Sequence, residues 1–480
     1  MTDQNTNPPA YPAKENNGSW IDPKTDGNRF KFLIDSYTGG GGYKSSKYLI
    51  PHAREVLDKF NLRKIKSRYS NSFKTIIDTH VAPIFKGDPV KSYGDSVSES
   101  EIKAFQLFHA DADKSGTSYK QFMKKTARAS KIYDSSFVVV EQANNEGETS
   151  DADLSDRSKL PYTILITPDK IIDVSINGSG DVVFFSWESI EYSTDESGGL
   201  VEHTIKTTWR TDKWTREKDS EFESDGENVL GYVPVFPLYP QENLDPSADP
   251  LPYGMSWSLA TINYRRFNLG SIIDETADGT AFPLMTIIGP ADIKSLTTGH
   301  SNGLKLPTDS TAQFLQPDYS FIDKLYSTLY TGLEQEMYQI SGVNFMKTMP
   351  QSADSRRQEM ERLYETLGDT KAQIEALDRN IINTFADYMD IDVDYSVSYN
   401  QNFGMALIND DLKVFETFVD SGQVSDEVTG KIIKRIMGAM MTGMTDQEKT
   451  TLEESVDQHL KFLAEIGVTE KDEDPEGAVE

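Results

Sequence analysis

At 480 residues the chain is long enough to bury a large core and, by length alone, to hold about two to four domains. Its formal net charge of −29 repels DNA, RNA and anionic lipid unless basic groups gather on one face, and any self-assembly must be driven by buried apolar contact. It has no cysteine, which excludes disulfides, thiolate metal sites and cysteine nucleophiles.

Met1–Lys14 has no apolar core of signal-peptide length, and no run approaches the roughly 18 apolar residues of a membrane span. Residues 1–45, rich in Asn, Pro, Gly and Ser, read as a flexible arm ending in Gly39–Gly42. Helical spacing begins at Ser46 and is carried by Leu57, Phe60, Leu62, Ile65, Tyr69, Phe73, Ile76 and Ile77. Pro83 closes that run. Ser98–His109 and Ser118–Tyr133 predict two more helices, separated by the polar loop Asp111–Thr117.

Residues 135–240 read as a β region with strands at Phe137–Val140, Tyr162–Ile166, Ile171–Ser175, Val182–Trp187, His203–Trp209, Lys213–Thr215 and Val233–Leu238. Asn177-Gly178, Ser197-Gly198-Gly199 and Asp225-Gly226 supply the turn signals, and Glu141–Ser158 is a polar loop. A Pro-rich joint leads into a helix over Pro252–Ala281. Strands follow at Leu284–Ile288 and Thr311–Leu315, then a second helix over Tyr319–Ser341. After the polar linker Gly342–Asp354 comes a long helix, Ser355–Asp390, with Leu363, Leu367, Ile374, Leu377, Ile381 and Phe385 on one stripe. Asp392–Tyr399 alternates with period two and predicts a strand. Helices are expected over residues 406–466, and the acidic tail, 467–480, reads as disordered. The fold class is α+β.

Few motifs look chemical. Asp111-Ala112-Asp113-Lys114-Ser115-Gly116 copies the first half of an EF-hand loop, but Phe122 stands where the bidentate Glu is needed, so a plain turn is expected. Gly39–Gly42 with Lys44 and Ser45 lacks the final glycine and preceding strand of a phosphate loop and reads as a hinge. The six histidines have no ligand spacing, and no nucleophile elbow occurs. No catalytic residue, metal or cofactor is expected. The basic stretch Lys59, Arg63, Lys64, Lys66, Arg68 and Lys74 either contacts nucleic acid or pairs with acids across a helix interface.

Residues 250–405 are the most informative. A helix that leaves a body, turns through a small β element and returns as a helix makes a projecting stalk, which suits copies standing around an axis. Tyr264, Phe267, Tyr326, Tyr330 and Leu333 exceed what one helix contact buries, so a neighbouring subunit is the natural second partner; the alternative is a monomeric helical layer covering the β region.

This order of elements resembles the portal proteins of tailed double-stranded DNA bacteriophages. The echoes are "PIFKGDP" ending the leading helices, "YVPVFPLYP" at Tyr232–Pro240, "AFPLMTIIG" at Ala281–Gly289, the segment Phe314–Val343, and "DLKVFETFVDSGQVSDEVTGKII" at Asp411–Ile433. The resemblance covers most of residues 45–465 and lies in element order and these short echoes. The resemblance implies a ring of about twelve subunits at one capsid vertex. It implies a wing (46–250 and 355–405), stem helices (251–281 and 319–341), a clip (282–318), a tunnel loop (342–354) and a crown (406–466).

The same resemblance implies that Asn344, Lys347, Thr348, Gln351, Arg356 and Arg357 face the DNA channel. Tyr264, Arg265, Arg266, Phe267, Tyr326, Tyr330 and Leu333 would form the stem and subunit interface, and Lys294, His300 and Lys305 lie on the clip, toward either DNA or solvent. The implied partners are non-specific double-stranded DNA, terminase, the head–tail adaptor, and the major capsid and scaffold proteins. The implied location is the virion, with the host cytoplasm during assembly. The alternatives are another virion structural or connector subunit, or an acidic hydrolase using a carboxylate pair of the β region.

Overall fold

The computed structural model describes residues 28–142, 153–195, 198–281, 284–289, 309, 311–315, 319–343, 353–400 and 403. The chain divides into two units, with boundaries after Ala82, Lys91 and Ser396. Mixed helices and antiparallel sheets make the fold α+β. The flexible segment expected through residue 45 is instead helical from Arg29. Helix α1 (Arg29–Thr38) starts at Asn28, whose side chain accepts from Phe30 N and Lys31 N, and ends at Gly39 with φ +68°. Phe32 and Leu33 are fully buried.

The glycine run is no hinge either. Gly41–Lys44 forms the short helix α2 against α1. A Cβ at Gly41 (φ +47°) would fall on the Asp35 carboxylate, and one at Gly42 on the Tyr48 ring. The glycines are there because the chain packs too closely for side chains. Asp35 closes this corner by accepting from Tyr48 Oη (2.8 Å) and Gly42 N (3.1 Å).

Helices α3 (Leu57–Lys66) and α4 (Ser72–Val81) follow, then the short strand β1 (Val90–Ser92). Helix α5 (Glu99–Ala110) begins in a reciprocal capping box between Ser98 and Glu101. Helix α6 (Tyr119–Tyr133) buries Phe122, Met123, Ala127 and Lys131. Between α5 and α6 the Asp111–Thr117 segment is a closed turn. Asp113 accepts from Ser115 N and Thr117 N, Asp111 accepts from Gly116 N, and Phe122 is buried.

The β region forms two sheets. Strand β2 (Ser136–Glu141) lies between β3 (Tyr162–Ile166) and β9 (Val235–Leu238), both antiparallel to it. Strands β4 (Ile171–Ile176), β5 (Val182–Thr194), β6 (Leu200–Arg210), β7 (Lys213–Lys218) and β8 (Glu221–Glu227) form an antiparallel meander. Phe137, Val139, Phe185, Trp187 and Trp209 share one core between the sheets. Asp225-Gly226, expected to turn, sits inside β8 with Gly226 opposite Trp214. The turn is at Asp219-Ser220, both with positive φ as a tight hairpin requires. Gly226 is needed because a Cβ there would lie 2.7 Å from the Trp214 indole nitrogen.

Helix α7 (Met255–Ala281) leads to strands β10 (Leu284–Ile288) and β11 (Thr311–Leu315), an antiparallel pair from Leu284↔Leu315 to Ile288↔Thr311. The return helix comprises α8 (Tyr319–Lys324), a π-helical turn (Leu325–Tyr330) and α9 (Thr331–Ile340), which packs back on α7. Helix α10 (Ala353–Met389) buries Leu363, Leu367, Ile374, Leu377, Ile381 and Phe385, the stripe read from the sequence. The expected strand Asp392–Tyr399 shortens to β12 (Ser396–Ser398). In the second unit Phe85 packs on Tyr399, and Asn400 donates to Pro83 O at 2.8 Å. The crown helices and acidic tail expected beyond residue 405 lie outside the described residues.

Candidate functional site

The helix–hairpin–helix excursion is held at its root by polar groups drawn from distant parts of the sequence. Helix α7 begins without a capping side chain of its own. Asp134, the left-handed residue closing α6, fills that place: its carboxylate accepts from Gly254 N and Ser256 N, both at 3.0 Å. The favourable charge at a helix N-terminus offsets part of the burial cost. Burial still pushes the Asp134 carboxyl above its ordinary value, despite the two amides and the Arg29 charge. Lys131 Nζ is buried behind it and reaches Pro240 O at 3.4 Å. Burial lowers this ammonium to about 8 against the opposing pull of Asp134 and Asp369.

Along α7 the buried face is unusually polar. Asn268 accepts from Ile50 N (2.8 Å) and donates to Tyr48 O, while Ser271 accepts from Arg63 Nη1 (2.9 Å). Arg266 is buried, with Nη1 on Ser72 Oγ (2.7 Å), Nη2 on Glu334 Oε1 (3.0 Å) and its guanidinium 4.4 Å from the Tyr330 ring centre. It therefore ties α4, α7 and the returning helix together. Gly270 makes room for Tyr330, whose ring lies 3.1 Å from where a Cβ would stand.

The returning end of the excursion is fixed at the root by His80 on α4. Its Nε2 donates to Ser341 O at 2.8 Å, just past the end of α9, while Nδ1 is buried with no partner. Burial, with Lys131 as the next cause, lowers this imidazole from 6.5 to about 3, so it is neutral at pH 7. Gly342 (φ +69°) and buried Val343 follow directly.

The expected site residues divide into three groups. Tyr264 and Phe267 are buried inside this chain: Tyr264 meets Phe32 and Tyr48 edge-on, and Phe267 meets Tyr43 and Tyr69. Neither is available to a neighbouring subunit. Arg266 is equally internal, whereas Arg265, next to it, is exposed. Tyr330 and Leu333 are half-buried against Leu269, Ile273 and Ile322. Tyr326, stacked on Tyr330 at 5.5 Å, is 54% exposed. Asn344, Lys347, Thr348, Gln351, Lys294, His300 and Lys305 lie outside the described residues. Arg356 and Arg357 fall on the α10 backbone, and their side chains lie outside the described set.

Four of the six cations of the basic stretch pair with acids. Arg63 meets Glu55 at 2.6 Å, Lys66 meets Asp278 at 2.5 Å, Arg68 meets Asp274 at 3.7 Å, and Lys74 meets Asp78. The β sheets carry a cleft of about 810 Å³ lined by Glu141, Glu191, Glu223, Trp187, Trp209 and Trp214. Three of the four carboxylates lining it are engaged: Glu141 accepts from Tyr162 Oη (2.8 Å) and Trp209 Nε1 (3.3 Å), and Arg216 lies 2.6 Å from both Glu191 and Glu223. Burial raises the Glu141 carboxyl above its ordinary value. Among the described residues no group of three or more His, Asp or Glu is placed to hold a metal, and no helix is long and apolar enough to cross a membrane.

No protein-family model matches the chain, and no curated protein matches it in sequence. Solved structures similar to it include one described as the neck of an empty GTA particle computed with C6 symmetry. That likeness has a TM-score of 0.45 at 11% identity and covers 82% of this chain and 95% of the other, which is too distant to assign a role.

Proposed function

We propose that this chain is the repeating subunit of a portal-type ring in a phage-like virion, the channel for double-stranded DNA during packaging and ejection. The observation that carries the reading is the excursion itself. Helix α7 leaves the body, β10 and β11 pair as a hairpin, and the α8–α9 helix returns onto α7. Asp134 and His80 anchor its two ends, so the projecting element has a stiff root.

In this reading the body from α3 to β9, with α10, is the wing, α7 and α8–α9 are the stem, and the hairpin belongs to the clip. Terminase and then a head–tail adaptor dock on the clip, and major capsid and scaffold proteins contact the wing. The tunnel loop, residues 342–354, would face the duplex with Asn344, Lys347, Thr348, Gln351, Arg356 and Arg357. The role is structural rather than catalytic and requires no cofactor. About twelve copies of a −29 chain would bring roughly −350 charges to the ring, which lets a polyanion slide rather than bind.

The test is the native mass of the purified chain together with negative-stain images of the same sample. A closed particle of about a dozen chains with a central hole is the expected result. A chain that stays single at every concentration, alone and with capsid and scaffold partners, would refute the proposal.

A further inference from the structure

We infer that subunits of this ring join head to tail, the exposed face of α3 on one copy seating against the outer face of the β5–β8 sheet on the next. The inference rests on the ring reading and names the two surfaces that build it. The first surface is apolar and basic. Val56, Leu57, Leu62 and Ile65 are 50–81% exposed, although α3 turns Phe60 and Arg63 inward. Residues 44–68 hold eight basic side chains against two acidic ones, a local net charge of +6 in a chain of −29. Arg63, Lys66 and Arg68 are spent on acids of the same chain, but Lys47, Arg54 and Lys59 are exposed around the apolar strip.

The second surface is its complement. Strand pairing sets Glu188 opposite Lys206, Lys206 opposite Glu217, and Glu217 opposite Phe222, while Ile190 faces Thr204 and Tyr192 faces Glu202. Paired residues share a face, so Ile190, Tyr192 and Phe222 stand on one side of the sheet with Glu188 and Glu202. These three apolar side chains are 53–68% exposed. Residues 188–229 carry twelve acidic side chains against five basic ones, a net charge of −7.

An apolar-basic patch and an apolar-acidic patch on one chain are what a heterologous contact needs, and repeated heterologous contacts with the right rotation close a ring. Apolar burial supplies the driving force, and the opposite charges set the pairing and prevent each patch from meeting its own kind. Duplex DNA fits the first surface less well, because phosphates satisfy lysines but leave four large apolar side chains in water.

The experiment compares native masses of the wild-type chain, a Leu62→Glu/Ile65→Glu variant and an Ile190→Lys/Tyr192→Lys variant, with melting curves as a folding control. All four residues are at least half exposed, so the melting curves should coincide. Each variant alone should fall from about a dozen chains to one, and an equimolar mixture should stop at two, since only one intact pair of surfaces remains. Variants that assemble at the wild-type mass overturn this pairing and leave the ring reading standing. If they also lose retention of duplex DNA, the α3 face is a nucleic-acid contact instead. Loss of assembly in only one variant likewise refutes the head-to-tail match, and a wild-type chain that never assembles removes the ring reading and this pairing together.

Discussion

Replacing His80 by glutamine should remove a defined part of the pH dependence of stability. An imidazole in the unfolded chain takes up a proton near 6.5, whereas burial holds the folded one near 3. Between those values the unfolded state binds more protons, so stability rises with pH across the window and is lost as pH falls through it. At pH 7 the effect is small. At pH 5 the unfolded form gains about 2 kcal/mol relative to pH 7, and no solvent screening reduces this because the ring is fully buried. Glutamine keeps an N–H donor for Ser341 O but does not titrate. Urea unfolding can be followed by the fluorescence of Trp257, which packs 5.7 Å from Phe32 in the same helical layer. The wild-type chain should lose about 2 kcal/mol more than His80→Gln between pH 7 and 5. Equal losses in the two proteins would mean that His80 is hydrated and titrates normally, and the anchoring of Ser341 would have to be rethought.

Arg266→Ala should cost about 3 kcal/mol, because it strands Glu334 and removes the Ser72 bond and the Tyr330 ring contact; Arg266→Lys should recover little, lacking the planar fork, and urea midpoints decide both. Gly42→Ala should cost about 2 kcal/mol by driving a methyl into Tyr48, whereas Gly116→Ala, with open space around it, should lose only about 1 kcal/mol to its φ of +82°. Thermal melts of the two variants side by side test that contrast. Asp134→Ala should cost about 2 kcal/mol and speed hydrogen exchange at Gly254 and Ser256 before the rest of α7, since both amides lose their acceptor.

How much was legible in the sequence follows from where each element finds its partners. Tyr162–Ile166, Leu284–Ile288 and Thr311–Leu315 appear with the bounds that β-branched and apolar runs predict, because those strands carry their own signal. Strand β8 carries no such signal, because Glu221–Glu227 is almost wholly polar and is a strand only through its ladder with β7. Helix α1 is hard to read because its single turn-and-a-half of apolar pattern sits among Gly, Pro and Asn, although Asn28 and Gly39, its caps, mark both ends. Without α1 and α2 in the pattern, nothing in the sequence indicates what covers Tyr264 and Phe267, and in the fold Phe32, Tyr43 and Tyr48 cover them. The polar lock around Arg266 could not be read at all, since Ser72 and Glu334 lie 194 residues before it and in a later helix.

Cations that looked available for a polyanion are largely consumed within the chain: Arg63 by Glu55, Arg266 by Glu334, Lys66 and Arg68 by the acids of α7. Such pairs add little stability when exposed, but they remove positive charge from the surface facing solvent. What they leave is an acidic body on which Arg265, beside the buried Arg266, is one exposed exception on α7. A duplex moving past a surface of that balance meets repulsion broken by isolated cations, a combination that centres a polyanion without holding it. Tight binding would require the opposite, a continuous basic stripe, and residues 44–68, with a local net charge of +6, carry exposed leucine and isoleucine suited to a protein surface.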